Sequence, residues 1–278
     1  PTIGERIPIL SFETRAEAEA ELKDTAIVLP APEANAEWAQ PGGTPAKVGG
    51  HLVLAERPVE AWRASIGKGS SATARLNAVP VVGGGKLFAM NTAGEVKAFD
   101  AATGRPLWSG EIRLPKRNNR AAFGGGVSYG DGRVYAATGY GVAAAFDAGD
   151  GHKLWEKPLG QPLRGAPTVA GNRVFFVSQD NQLHAVNGAT GDLLWTVTGT
   201  VEVAGILGTG APAVQLDTVV AGFSSGELNA LRAENGRTVW QDQLARTGRS
   251  TAMAALADID GSPVIDRGRV FAIGHGGR

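Results

Sequence analysis

A short motif that recurs four times, and a pair of short alternating segments ahead of each copy, predict an all-β fold, a β-propeller of four-stranded antiparallel blades. In each copy a turn residue is followed four positions later by Gly and eight positions later by Trp. The tryptophans are 47, 40 and 45 residues apart, a period typical of propeller repeats. The copies are Asp100–Trp108, Asp147–Trp155, Asn187–Trp195 and Arg232–Trp240, and their glycines are Gly104, Gly151, Gly191 and Gly236.

Each copy of the motif predicts a β-hairpin. An alternating run such as Val96–Phe99 precedes the turn, and another such as Pro106–Trp108 follows it. Asp or Asn at the first turn position can bond its own backbone, and the Gly can take a positive φ. The fourth copy has Arg232 in that place, so its turn should be less well capped. We expect all four tryptophans to be buried against a neighbouring blade, the alternative being that they stack on a ligand.

A second pair of strands is predicted ahead of each hairpin, which gives four strands per period. The predicted blades span residues 77–113, 123–160, 163–199 and 207–245, and an incomplete fifth blade spans 258–278. The segment 59–65, which contains Trp62, is predicted to be an outer strand that completes the last blade and closes the ring. Residues 51–278 are therefore expected to form a partial propeller of about four and a half blades.

Residues 1–50 differ from the repeats and are predicted to form an extended N-terminal tether. Residues 13–23 are compatible with a short helix, and Pro30, Pro32, Pro41 and Pro45 then interrupt the chain. Two interpretations remain open: a solvated linker, or a strip that packs along the propeller or grips a partner.

The composition argues against several classes of function. Lys plus Arg equals Asp plus Glu at 27 each, so no net field attracts nucleic acid or an anionic membrane surface. The absence of Cys excludes disulfides, thiolate metal ligands and a Cys nucleophile. The 4 His are scattered, and the Gly83–Gly85 and Gly124–Gly126 runs lack the residues of a phosphate loop. We therefore expect no catalytic residues, no metal site and no cofactor.

Segments between the repeats resemble the outer-membrane assembly lipoprotein family BamB, whose members are eight-bladed quinoprotein-like propellers of the bacterial periplasm. The segments that carry the resemblance are Ala61–Gly69, Gly94–Ala98, Ala211–Pro212 and Leu256–Val264. The resemblance runs from about Trp38 to the end of the sequence and implies eight blades in the complete protein. It also implies a position at the periplasmic face of the outer membrane, through a lipid anchor that would precede Pro1.

The same resemblance implies a non-catalytic scaffold that binds the periplasmic domains of BamA and assists the insertion of outer-membrane proteins. Its partner surface would lie on two neighbouring linkers between blades. The matching positions in this sequence are Ala204, Ile206 and Leu207, followed by Asp258 and Asp260. Leu207 stands where the family usually has Arg, and Leu cannot make the bidentate hydrogen bonds of a guanidinium. The alternative role for the two aspartates is turn capping.

Two other classes of function share this kind of repeat. One is a quinone-cofactor dehydrogenase, which requires a carboxylate-lined funnel, bound calcium and commonly a disulfide of adjacent cysteines against the quinone. This sequence has no Cys, and its connections between blades are short. The other is a sensor or ligand-binding propeller, which the sequence alone does not distinguish from a scaffold.

Overall fold

The strands of this chain form a series of antiparallel sheets in sequence order. The computed structural model describes residues 20–75, 77–115, 123–200, 208–244 and 258–275. Within these ranges there are four sheets of four strands and one pair of strands, and in every four-stranded sheet the strands are neighbours in chain order. Each sheet is therefore a meander, and the predicted all-β propeller fold is confirmed.

The strand bounds, blade by blade, are as follows. Blade one has β1 Val81–Gly83, β2 Lys86–Met90, β3 Glu95–Asp100 and β4 Pro106–Glu111. Blade two has β5 Gly125–Gly130, β6 Arg133–Thr138, β7 Val142–Asp147 and β8 Lys153–Pro158. Blade three has β9 Thr168–Ala170, β10 Arg173–Val177, β11 Gln182–Asn187 and β12 Leu193–Thr198. Blade four has β13 Ala213–Gln215, β14 Thr218–Gly222, β15 Glu227–Arg232 and β16 Thr238–Gln243. Blade five has β17 Val264–Asp266 and β18 Arg269–Phe271.

The core lies between successive blades rather than within any one of them. The first strands of neighbouring blades contact each other, so β1, β5, β9, β13 and β17 are the innermost strands. Because successive side chains of a strand point to opposite faces, each central strand contributes to two cores. Strand β7 (Val-Ala-Ala-Ala-Phe) illustrates this, since all five of these residues are buried. The core between blades one and two contains Phe88 and Phe146, and the next one contains Tyr135 and Phe176.

The predicted hairpins end each complete blade, and each contains a bulge. The pairing register shifts by one residue beside the turn, for example between Ala98 and Phe99 in blade one. Gly104 has φ +71°, the left-handed conformation that this turn requires. The Asp100 carboxylate accepts a hydrogen bond from the Thr103 amide at 2.9 Å and caps the turn. In blade four, Arg232 makes an ion pair with Asp217 instead of capping its turn.

The repeated tryptophans dock each blade on the next one. The indole Nε1 of Trp108 donates to the Ala148 carbonyl at 3.1 Å, and Trp155 and Trp195 make the equivalent bonds at 3.0 and 3.1 Å. A Cβ added at Gly151 would lie 2.6 Å from the Trp108 ring, so the turn glycine also makes room for the indole. Trp62 docks in the same way on Ala101 and Gly104 of blade one.

Burial of the four repeat tryptophans is unequal, which corrects one expectation. Trp155 is buried at 7% exposure, and Trp108 and Trp195 are partly buried. Trp240 is 37% exposed, and the prediction that it is buried is wrong. The reason is that no hairpin of the following blade lies over it within the described residues.

The predicted ring-closing strand is a separate matter. Residues 59–65 pair with no other strand within the described residues, so the ring-closing strand stays a prediction.

Residues 38–47, which we call the N-terminal strap, cross the innermost strands of all five blades. Trp38 pairs with Val82 of blade one through two backbone hydrogen bonds of 2.8 Å. The side chain of Gln40 bonds both the amide and the carbonyl of Val169 in blade three, at 3.0 Å each. Strap carbonyls accept the remaining bonds: Ala39 from Tyr129, Pro45 from Val214 and Ala46 from Ile265.

Of the two interpretations of the N-terminal segment, packing along the propeller is the one that applies to the strap, residues 38–47. The preceding residues 20–37 are exposed. Most of the predicted helix at 13–23 lies outside the described residues, and residues 20–23 form a turn. In the described ranges no helix is long and apolar enough to cross a lipid bilayer.

Candidate partner-binding rim

The linkers that lead into successive blades lie at one end of the sheets. In a four-stranded meander, the chain enters the first strand at the same end at which the second strand turns into the third. The linkers ahead of β9, β13 and β17 therefore meet the loop that follows β14. The predicted residues Asp258 and Asp260 belong to this end, which we call the rim. Ala204, Ile206 and Leu207 lie outside the described residues, and Gly208 is the first described residue after them.

Arg164, in the linker ahead of β9, ties the rim together. Its Nη2 donates to the Ile259 carbonyl at 3.1 Å and to the Asp260 carboxylate at 3.3 Å. Its Nη1 donates to the Gly222 carbonyl at 3.4 Å. The side chain of Arg164 is only 3% exposed. One buried guanidinium thus joins the linkers of blades three and five to the end of a strand in blade four.

The two predicted aspartates have different environments. Asp258 is fully buried, at 0% exposure, and its carbonyl accepts a hydrogen bond from the His275 amide at 2.8 Å. The side chain of Asp260 is 29% exposed and is the ion-pair partner of Arg164. Asp260 is therefore accessible to a partner protein, whereas Asp258 is buried within the rim. A Lys at position 258 would be a buried cation, so that substitution should destabilise the fold.

The charges at the rim influence one another. Burial and the neighbouring carboxylate of Asp258 raise the pKa of Asp260, and the charges of Arg164 and His275 offset this only in part. Burial lowers the pKa of Arg164, which the two carboxylates partly oppose. A raised pKa means that ionising Asp260 costs more in the folded than in the unfolded chain. Its contribution to stability is therefore largest at low pH and falls as the pH rises through the raised pKa.

The linker ahead of β13 packs closely on this charged pair. A Cβ added at Gly208 would lie 2.1 Å from an Asp260 carboxylate oxygen and 2.8 Å from Nη2 of Arg164. Further along, the Ala211 amide donates to the Ser262 hydroxyl at 2.9 Å. The absence of a side chain at Gly208 thus lets the two linkers approach, and the rim becomes one connected surface.

Sequence reasoning missed Arg164, although a signal was available. Arg164 is followed by Gly165 and then by the step Ala166-Pro167, which repeats the step Ala211-Pro212 of the next blade. The resemblance placed an Arg ahead of the Ala-Pro step of blade four, where this chain has Leu207. The Arg of this chain stands ahead of the preceding blade, and only the tertiary structure brings it to Asp260.

The guanidinium of Arg164 mainly holds backbone groups of the rim. Arg164 uses its donors on two carbonyls and one carboxylate. Within the described residues, no group of three or more His, Asp or Glu side chains is placed to hold a metal ion. His152, His184 and His275 lie on separate blades.

The sheets and the tryptophan docking define a β-propeller of the quinoprotein-like repeat class. A family model described as outer membrane protein assembly factor BamB matches residues 55–122 and 120–278. The chain belongs to this family. The resemblance stated from the sequence is thereby confirmed.

Individual relatives agree with the family match. The outer membrane protein assembly factor BamB of Vibrio cholerae is 36% identical over 221 residues, which cover 80% of this chain and 56% of the relative. That of Escherichia coli K12 is 29% identical over 260 residues, covering 79% of this chain and 57% of the relative. The chain thus spans a little over half the length of the relatives it matches.

Solved structures support the fold. The crystal structure of BamB from Moraxella catarrhalis superposes with a TM-score of 0.64 at 20% identity, covering 75% of this chain and 61% of that one. A europium-containing methanol dehydrogenase gives the same TM-score of 0.64 at 16% identity, covering 86% of this chain and 54% of the enzyme. At such identities the likeness concerns the fold alone, so the dehydrogenase does not favour an enzymatic function for this chain.

Proposed function

We propose that this chain is part of a non-catalytic scaffold of the outer-membrane β-barrel assembly machinery, and that it binds the periplasmic domains of a BamA-like partner. The observation that carries the proposal is the match of the assembly-factor family over residues 55–122 and 120–278. The relatives are named outer membrane protein assembly factors, which supports a place for the complete protein at the periplasmic face of the outer membrane. A lipid anchor ahead of Pro1 belongs to the same proposal.

The proposed partner surface is the rim. A partially exposed carboxylate, Asp260, stands beside the linker ahead of β13 on a framework that Arg164 makes rigid. A rigid polar group of this kind can fix the register of a protein contact. Ala204, Ile206 and Leu207 remain predicted contacts. Asp258 takes a supporting role, because its side chain is buried.

The test is calorimetric titration of the periplasmic domains of the BamA-like protein into this chain and its variants. Asp260→Asn removes the charge but keeps an oxygen that can accept from Arg164, so the fold should persist. If Asp260 meets a basic group, affinity should fall about tenfold. Asp131→Asn is the matched control, because Asp131 is exposed in a turn at the other end of the sheets and has φ +51°, which Asn tolerates.

Two results would count against the proposal. Equal affinities of the wild-type chain and Asp260→Asn would remove this carboxylate from the contact. Quinone-dependent dye reduction by the purified protein would contradict the non-catalytic assignment.

A further inference from the structure

The chain contains two Asn-Gly steps, and both lie in the hairpin turn that joins the last two strands of a blade. Asn187-Gly188 begins the turn between β11 and β12, and Asn235-Gly236 ends the turn between β15 and β16. At such a step the backbone nitrogen of Gly can attack the side-chain carbonyl carbon of Asn, because Gly has no Cβ to hinder the approach. The Gly nitrogen loses its proton, the side-chain amide leaves as ammonia, and a cyclic succinimide forms. Water then opens the ring at either carbonyl, which gives aspartate or isoaspartate.

The fold protects the step in blade three. The side-chain oxygen of Asn187 accepts hydrogen bonds from the amides of Ala189 and Thr190, at 2.8 and 3.2 Å. Gly188 is buried, and its amide donates to the Asn172 carbonyl at 2.9 Å. The nitrogen that would attack and the carbonyl that it would attack are therefore both held in place by hydrogen bonds.

The step in blade four is less protected. Arg232 stands where the other turns have a capping Asp or Asn, and its side chain pairs with Asp217. Asn235 is exposed, and its side-chain oxygen accepts from the Arg237 amide at 3.0 Å. The Gly236 amide donates to the Arg232 carbonyl at 2.8 Å, a bond within the turn itself. Because all six residues of β16 are exposed as well, local opening that frees the Gly236 amide should cost least in this hairpin.

We propose that Asn235 is a site of spontaneous deamidation, and that its isoaspartate product loosens the joint between blades three and four. Trp195 of blade three docks on this turn: its Nε1 donates to the Ala233 carbonyl at 3.1 Å, and a Cβ at Gly236 would lie 2.9 Å from its ring. Isoaspartate passes the main chain through the former side chain and so adds a methylene group to the backbone between Ala233 and Gly236. The two contacts with the indole then no longer fit together.

The aspartate product should leave the turn unchanged, because another turn of the chain already contains it. Asp150 has the equivalent position in blade two, and its carboxylate accepts from the His152 amide at 2.8 Å. This bond is the counterpart of the bond between Asn235 and the Arg237 amide. The two products of one succinimide should therefore differ in their effect on stability.

The first experiment measures deamidation at the two steps. The purified chain is incubated at mildly alkaline pH, which favours the deprotonated amide, and is then digested for mass spectrometry with separation of aspartate from isoaspartate. In the folded chain Asn235 should convert at least about tenfold faster than Asn187. In chain unfolded by guanidinium the two rates should be similar, because the dipeptides are identical. Equal rates in the folded chain, or faster conversion of Asn187, would overturn the proposal.

A variant tests why the turn of blade four is exposed to the reaction. Arg232→Asn gives this turn the capping residue that blade three has at Asn187. Conversion of Asn235 should then slow several fold, because the cap opposes opening of the turn. An unchanged rate would contradict the role assigned to the missing cap.

The second experiment tests the joint by urea unfolding, followed by tryptophan fluorescence, before and after incubation. The incubated wild-type chain should contain a fraction that unfolds at lower urea, in proportion to its isoaspartate content. Asn235→Thr cannot form the succinimide, and Thr103 and Thr190 have the same position in other turns, so its unfolding should not change on incubation. Freshly prepared Asn235→Asp should unfold at the midpoint of fresh wild-type chain. Accumulation of isoaspartate without a less stable fraction would overturn the effect on the joint.

Discussion

Lys47 in the strap has an unfavourable backbone conformation and a buried amine that is unpaired within the described residues. Its backbone has φ +65°, a left-handed conformation that costs a residue with a side chain of order 1–3 kcal/mol. The residue is 7% exposed, and its Nζ has no hydrogen-bond partner within the described residues. Burial lowers its pKa from 10.5 to about 7. The rest of the fold therefore offsets the energetic cost of the backbone conformation and of the buried amine at this position.

Replacing Lys47 should stabilise the protein. The unfolded amine binds a proton below pH 10.5 and the folded one only below about 7, so stability should rise with pH across that window. The cost is fully present below pH 7 and is on the order of 5 kcal/mol. Lys47→Met should remove both the cost and the pH dependence, as measured by urea unfolding at pH 6, 8 and 10.

The matched control is Lys68→Met, which removes the same charge from an exposed position. A surface change of this kind should alter the free energy of unfolding by no more than about 0.5 kcal/mol. If Lys47→Met were less stable than the wild-type chain at pH 6, the amine would have to be paired in solution.

Among the elements, the tryptophan-bearing outer strands act as joints between blades. Each docked indole combines an apolar contact over a turn glycine with one hydrogen bond to a carbonyl of the next hairpin. Because the ring reaches the neighbouring blade, its energetic effect depends on that blade and not on its own strand. The strap does the same at the inner edges, where edge strands would otherwise present unpaired groups.

The two kinds of tryptophan should respond differently to truncation. Trp155→Ala removes a buried ring and its hydrogen bond to Gly188, and should cost about 3–5 kcal/mol. Trp240→Ala removes a ring that is 37% exposed, and should cost less than about 1.5 kcal/mol. Urea unfolding of both variants measures the difference. Equal losses of unfolding free energy in the two variants would mean that the docking contact does not stabilise the interface between blades.

At the scale of the whole molecule, apolar side chains are exposed on the last described sheet. Phe271 and Ile273 are 53% and 65% exposed, and Val239 and Trp240 on the neighbouring blade are 44% and 37% exposed. Within the described residues no further sheet covers β18. Exposed apolar surface next to free strand edges promotes association between molecules.

This chain should therefore self-associate in a concentration-dependent way, which light scattering measures. A double change of Phe271 and Ile273 to Lys should reduce association, since it places two charges on the exposed face. The control, Ile27→Lys, changes a residue that is 84% exposed in the N-terminal segment and should leave association unchanged. A monodisperse wild-type monomer would contradict the prediction.

The repeat, the hairpin turns and the docking tryptophans could be predicted because each depends on residues close together in the sequence. Asp100, Gly104 and Trp108 lie within one hairpin, and turn chemistry and strand alternation act over that range. The equal burial expected of Trp240 did not follow, because burial depends on the blade that is next to it.

Only the tertiary structure decided which residues meet at the rim and in the strap. Arg164 reaches Asp260 across 96 residues, and Gln40 reaches Val169 across 129. It also decided that Asp258 is buried while Asp260 is accessible, although the two are separated by one residue. The physical reason is that such contacts arise when separate blades pack side by side. Local propensity fixes the form of each blade, whereas the neighbours of a linker residue depend on how the blades are arranged around the axis.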